Sequence, residues 1–194
     1  MFASLPPVTR ALLLVNIGAF AAQSLFGDAM LEPLALWPLG PDFALWQVVT
    51  YAFLHGSVAH LFFNMFALFM FGGQLERFWG PGRFFVFYMA SVLAAAGMQL
   101  LVTYWMNAQE PTIGASGGVF GLLLGFAMFF PRQRIVLLFP PIPMPAWLFV
   151  TLYGALELFL GFTGSQAGVA HFAHIGGMLG GWLTILFWRT RPAQ

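Results

Sequence analysis

Ile113-Gly-Ala-Ser-Gly-Gly-Val-Phe-Gly121 opens an apolar run that continues without a charge to Phe130. A stretch of this kind reads as a helix inside a bilayer. Its one hydroxyl, Ser116, stands among glycines at the start of the helix. There it lies beside backbone N–H groups that have no helical acceptor, an arrangement that suits a negatively charged oxygen. Two readings of Ser116 follow. It is a small packing residue, as serine and glycine commonly are between membrane helices, or it is a nucleophile with part of an oxyanion hole around it. Taken alone, the nonapeptide favours packing, because a G-x-S-G string is short and common.

The rest of the chain agrees with a bilayer. Of 194 residues, 60% are hydrophobic and 7% are charged, whereas a soluble domain carries about 25% charged residues. The fold class read here is all-α, a polytopic membrane protein. The absence of cysteine removes disulfides, thiol catalysis and cysteine metal sites. No basic cluster exceeds two arginines, which argues against nucleic acid as a partner.

Six runs approach the roughly 20 apolar residues that cross a membrane. They are Ala11 to Phe26, Val58 to Leu75, Phe84 to Met106, Gly114 to Phe130, Ala146 to Phe162 and Val169 to Trp188. With six spans, all the basic residues fall on one side: Arg10, Arg77, Arg83, Arg132, Arg134, Arg189 and Arg191. Arginine-rich short loops stay cytoplasmic, so both termini are expected inside. The acids Asp28, Glu32, Asp42 and Glu110 fall on the opposite side. Ala19-Phe-Ala21 after an apolar stretch resembles a signal-peptide cleavage site. The run continues to Phe26, so the first span is read as retained.

The segment from Gly27 to Ser57 carries Trp37, Pro38, Pro41, Trp46 and Tyr51 among apolar residues. It is read as a long outer loop lying partly in the interface as short helices, with Ser57 as the N-cap of the second span. Ile135 to Pro145 carries Pro140, Pro141, Pro143 and Pro145 and is expected to form an extended hairpin at the inner interface. No internal repeat or linker divides the chain, so residues 1–194 are taken as one domain.

Polar groups at membrane depth are costly and therefore informative. The second span carries His60 and Asn64, four apart and on one helical face. The fourth opens with Ser116, the fifth carries Glu157, and the sixth carries His171 and His174. The second, fourth and sixth spans all enter from outside, so His60, Asn64, Ser116 and His174 reach similar depth. A histidine is the usual base for a serine nucleophile, which pairs Ser116 with His174. His60, Asn64 and the Ser116 backbone N–H then supply oxyanion donors. Gly117, Gly121 and Gly125 on one span, and Gly176, Gly177, Gly180 and Gly181 on another, allow close helix approach; ordinary packing explains these stripes equally well.

Other uses of these residues exist. His171, His174 and His60 are a conceivable metal set, but H-E-x-x-H is absent and no carboxylate ligand lies near in sequence, so no metal or other cofactor is expected. His171 reads as supporting or packing, and His55 as interfacial. Glu157 is expected to face the bundle interior with a partner that the sequence does not name. A transporter would want several intramembrane charges or broken helices in matching halves, and neither is found.

Taken together, these residues resemble the rhomboid family of intramembrane serine proteases. His60-Leu-Phe-Phe-Asn64 is similar to its H-x-x-x-N, Gly114-Ala-Ser116-Gly117 to its G-x-S-G, and Ala173-His174-Ile-Gly-Gly177 to its A-H-x-G-G. Gly73-Gln-Leu-Glu76-Arg77, followed by Gly80, resembles the segment that closes the second helix. The resemblance implies a six-helix rhomboid-like bundle with a Ser116–His174 dyad and no third acid. It implies oxyanion roles for His60, Asn64 and the Ser116 amide, with Gly114, Gly117, Phe120, His171 and Gly177 in support. It also implies single-span membrane proteins as substrates. The expected place is a bacterial inner membrane, with the active site opening to the outer side. Oligomeric state is left open. The chain departs from the family pattern at Phe120, where many members have a stacking tyrosine, and at Trp46-Gln47, where many have Trp-Arg. An inactive rhomboid-like binder is the competing function; such proteins typically lack the serine or the histidine.

Overall fold

Apolar side chains that water rejects and backbone groups that lipid cannot satisfy leave a long hydrophobic run one solution, the helix. The computed structural model describes residues 5–137, 140–164 and 170–190. Helix α1 spans Pro7–Phe26, with proline at its first turn, where no N–H is needed. Two short helices follow, α2 at Asp28–Leu34 and α3 at Gln47–Thr50. Helix α4 runs Val58–Trp79 through a π-helical stretch at Leu68–Gly72. Helix α5 is Pro81–Met106, α6 is Ser116–Phe129, α7 is Ala146–Thr163 and α8 is His171–Thr190. Between α6 and α7 an antiparallel hairpin pairs β1, Arg134–Val136, with β2, Pro143–Pro145. Residues 138–139 of the expected hairpin lie outside the described residues, as do Val169 and Arg191.

Each of the six apolar runs contains a helix among its described residues, with Gly114, Ala115, Phe130 and Ala170 lying outside the helical parts. Helices α1, α4, α5 and α7 are long and apolar enough to cross a membrane. Helix α6 has only 14 residues, about 21 Å at 1.5 Å per residue, against a hydrocarbon core of about 30 Å. Helix α8 has the length, 20 residues, but its histidines and glycines dilute its apolar character. The chain is an integral membrane protein.

The bundle is built around α8. Its Gly176 and Gly180 face α5, where an added Cβ on Gly176 would lie 2.9 Å from the Ala94 carbonyl oxygen, and one on Gly180 2.8 Å from that of Ala90. Gly177 faces α6, where any Cβ would run into the Gly117 carbonyl. The expected contact between the two glycine-bearing spans is present at Gly117, Gly121 and Gly177. Gly125 instead packs on Phe87 of α5 and Trp79 of α4.

One end of the bundle gathers the described arginine-bearing segments. The Glu76 carboxylate accepts the Val8 N–H at 2.9 Å and the Thr9 N–H and hydroxyl at 2.7 Å each, capping the N-terminus of α1. Nearby, Trp79 stacks edge-on to Trp188, over which Arg83 sits at 5.8 Å. Gln74 and Gln133 share hydrogen bonds of 2.9 and 3.2 Å. The starts of α4, α6 and α8 lie at the other end.

The segment from Gly27 to Ser57 contains the expected short helices, but much of it is core. Ala35, Leu36, Gln47, Tyr51, Ala52, Leu54 and His55 are buried, whereas Leu45 and Trp46 are exposed. Gln47 anchors the segment: its amide donates to the Asp42 carbonyl at 3.0 Å and accepts from the Trp37 N–H at 3.3 Å. The Trp46 indole donates to the Pro33 carbonyl at 2.8 Å. The glutamine that stands at the Trp-Arg position thus still ties the loop down. Tyr51 donates its hydroxyl to the Val92 carbonyl at 2.9 Å, and burial pushes that phenol well above its ordinary pKa.

Candidate active site

Because α6 is short, Ser116 sits below the end of the bundle, and the chain must descend to it without helical hydrogen bonds. The loop from α1 to α4 supplies them. Leu36 and Thr112 exchange backbone bonds of 3.0 and 2.9 Å, and the Gly114 N–H donates to the Tyr51 carbonyl at 2.9 Å. Irregular backbone at this depth is tolerated only where protein satisfies it. Gly114 completes the descent at φ +131°, a conformation that side chains resist. Even the space for a Cβ is missing, since it would lie 2.8 Å from His60 Cε1 and Nε2.

The first helical bond of α6 runs from the Val119 N–H to the Ala115 carbonyl. The amides of Ser116, Gly117 and Gly118 therefore have no acceptor within the helix. Ser116 Oγ lies 2.8 Å from His174 Nε2. The His174 ring is stacked on Phe120 at 4.2 Å between centroids and 7° between planes. Phenylalanine is thus sufficient for the stack. The other ring nitrogen, His174 Nδ1, is 2.7 Å from Glu157 Oε2. His171 Nδ1 approaches the same oxygen at 2.7 Å. The resemblance implied no acid beside the histidine; in this chain α7 provides one.

His60 and Asn64 face the same space from α4. The Ser57 hydroxyl accepts the His60 N–H at 3.1 Å, making Ser57 the N-cap of the helix. The Gly56 N–H points at His60 Nδ1 from 3.4 Å. A nitrogen that accepts leaves its neighbour to carry the proton, so Nε2 is the donor. That nitrogen is near Ser116: the same point above Gly114 is 2.8 Å from His60 Nε2 and 3.6 Å from Ser116 Oγ. The Asn64 amide, buried at the cavity wall, has no hydrogen-bond partner among the described residues.

These groups open on one cavity of about 1010 Å³. It separates α4 from α7. Gln99, Thr103 and Glu110 line it towards one end, and Phe71, Leu137 and Phe149 towards the other. A serine, an imidazole, an amide and free backbone N–H groups thus share a space with both polar and apolar walls. His55, expected at an interface, is fully enclosed instead, edge-on to His60 at 5.0 Å. Burial first and His60 second push its imidazole down to about 4.

Glu157, His171 and His174 offer three ligand atoms within 4.8 Å of one another. Their 2.7 Å contacts are hydrogen-bond lengths. Ligands held about 2.0–2.1 Å from a tetrahedral zinc stand roughly 3.3 Å apart. The cluster as it stands is therefore a hydrogen-bonded one, and a metal would have to spread it.

Residues 42–191 match the family described as Rhomboid domain. Among similar proteins is the mitochondrial rhomboid protein 1 of Saccharomyces cerevisiae, 36% identical over 107 residues, which covers 52% of this chain and 30% of the yeast protein. Rhomboid protease GlpG of Klebsiella pneumoniae is 31% identical over 122 residues, 62% of this chain and 42% of that protein. Rhomboid protease GluP of Bacillus subtilis is 30% identical over 136 residues, 70% and 24% respectively. The matched part is less than half the length of each of these relatives.

Proposed function

The chain belongs to the rhomboid family, and from that premise we propose that it is an intramembrane serine endopeptidase acting on single-span membrane proteins. The observation that carries the reading is the 2.8 Å contact between Ser116 Oγ and His174 Nε2 at the wall of a cavity. Relatives named rhomboid proteases support the reaction class.

The mechanism follows from the donors and acceptors. Ser116 gives its proton to His174 Nε2 as its oxygen attacks the scissile carbonyl. The carbonyl oxygen becomes an oxyanion, which the Ser116 N–H, His60 Nε2–H and Asn64 amide stabilise; one such donor is worth about a hundred- to a thousand-fold in rate. His174 then protonates the departing amine. A water entering past Gln99, Thr103 and Glu110 hydrolyses the acyl-enzyme, with His174 again as base. Gly114, Gly117 and Gly177 serve by their lack of a side chain, and Phe120 by its stack on the base.

Residues 1–194 act as one domain with six membrane spans, α1, α4, α5, α6, α7 and α8, and part of the segment from Gly27 to Ser57 rests in the interface. The arginines that gather at one end support a cytoplasmic position for it. The termini are then cytoplasmic and the cavity opens to the outer side, which in a bacterial inner membrane is the periplasm.

The test is cleavage of a single-span reporter by the full chain in liposomes. Ser116→Ala and His174→Ala should each lower turnover by at least about a thousand-fold while the thermal melting curve stays in place. Undiminished cleavage by either variant would refute the pairing.

A further inference from the structure

The geometry points to Glu157 as the positioning residue of His174, its carboxylate fixing the ring with the proton on Nδ1 and His171 fixing the carboxylate. This rests on the endopeptidase reading. The resemblance that carries that reading asks for no acid, so Glu157 is a feature of this chain's own geometry.

Three groups stand in series. Glu157 Oε2 is 2.7 Å from His174 Nδ1, and His174 Nε2 is 2.8 Å from Ser116 Oγ. A neutral imidazole carries one proton, on either nitrogen. With the proton on Nε2, the ring would donate to Ser116 and could not take its proton. An acceptor at Nδ1 selects the useful form, and a carboxylate oxygen is such an acceptor. Once the ring has taken the serine proton it is a cation that is 8% exposed, and Glu157 is the nearest counter-charge among the described residues.

The carboxylate is itself held. His171, one turn before His174 on α8, brings its Nδ1 to the same oxygen at 2.7 Å. One oxygen facing two ring nitrogens is satisfied when both donate. Glu157 is almost fully buried, 4% exposed, on a helix whose outer face is apolar. A carboxyl so placed is costly, and the two N–H donors offset that cost. Phe120 fixes the plane of the His174 ring, and Glu157 fixes its rotation within that plane. Among the described residues, the other titratable groups facing this cluster are His60 from α4 and Tyr153, one turn before Glu157 on α7, and the partner of His174 Nδ1 is Glu157.

A merely structural Glu157 would tie α7 to α8 and do nothing to the reaction, and kinetics separate the two roles. In liposomes with the single-span reporter, Glu157→Gln should lower kcat by about a hundred- to ten-thousand-fold, with KM changed by less than about threefold. Glu157→Asp should restore at least about tenfold of that loss. In a His174→Ala background, Glu157→Gln should change the residual rate by less than about threefold, because the effect passes through His174. A kcat for Glu157→Gln within about threefold of wild type, or an equal loss in both backgrounds, overturns the inference. If Glu157→Gln does not fold, nitrogen chemical shifts of His174 in the unmodified protein decide: a protonated Nδ1 and bare Nε2 are expected, and the reverse overturns the assignment. The endopeptidase reading fails differently, through a wild-type chain that does not cleave or a Ser116→Ala that does, and it takes the inference with it.

Discussion

His55 is enclosed, and among the described residues neither of its ring nitrogens has a well-formed hydrogen-bond partner; the Phe53 backbone favours the charged ring less than burial disfavours it. Such a ring is tolerated only while neutral, which is why its folded pKa lies near 4 against about 6.5 in an unfolded chain. The unfolded state therefore binds the proton first. The stability that His55 permits is fully present above about pH 6.5 and is lost as pH falls towards 4. Between about pH 7 and about pH 5 this one group should cost roughly 2 kcal/mol. Denaturation at the two pH values would show it as a loss that His55→Leu greatly reduces; an unchanged pH dependence in that variant would remove His55 from the account. The same scale shows what was readable in the sequence. Ser116, His60, Asn64 and His174 stood out because each is polar in an apolar run. The partners of Glu157 were not readable. Spacing reports which residues share a face of one helix, but not which way that face is turned relative to a neighbouring helix.

At the scale of elements, close approach decides the site. Ser116 and His174 lie on different helices, α6 and α8, and meet because Gly117 and Gly177 bring the two backbones together. A Cβ at Gly177 meets a helix carbonyl, which has no room to retreat. Gly177→Ala should therefore destabilise the fold by about 1–3 kcal/mol or more and abolish the proposed cleavage by parting Ser116 from His174. Gly18→Ala on α1 is the matched control: no atom of the described residues lies within 4 Å of the added methyl, so stability should be unchanged or raised by up to about 1 kcal/mol. Equal melting of the two variants would contradict the packing argument. The apolar runs gave these helices with edges shifted by a few residues, since caps such as Ser57 and the first-turn proline of α1 sharpen only some ends. The burial of the segment before α4 was less legible. Tryptophan, tyrosine and leucine suit an interface and a core alike, and only the backbone bonds from Leu36 and Tyr51 to the descending chain show what the segment supports.

For the whole molecule, the proposed reaction poses a problem of solvent that the arrangement would solve. Hydrolysis needs water and the membrane excludes it. A short α6 withdraws Ser116 from the end of the bundle, and the cavity between α4 and α7 keeps it reachable from outside the protein. The arginine pattern foretold which helix ends would lie together, because a charge rule acts on the whole chain and needs no contact to be known. On the proposed function, this cavity holds an activated serine. Reaction of the full chain in liposomes with a fluorophosphonate, followed by mass mapping, would reveal it. A single adduct on Ser116 is expected, formed at least about a hundred-fold more slowly in His174→Ala. An adduct on another residue, or equal rates in the two proteins, would contradict it.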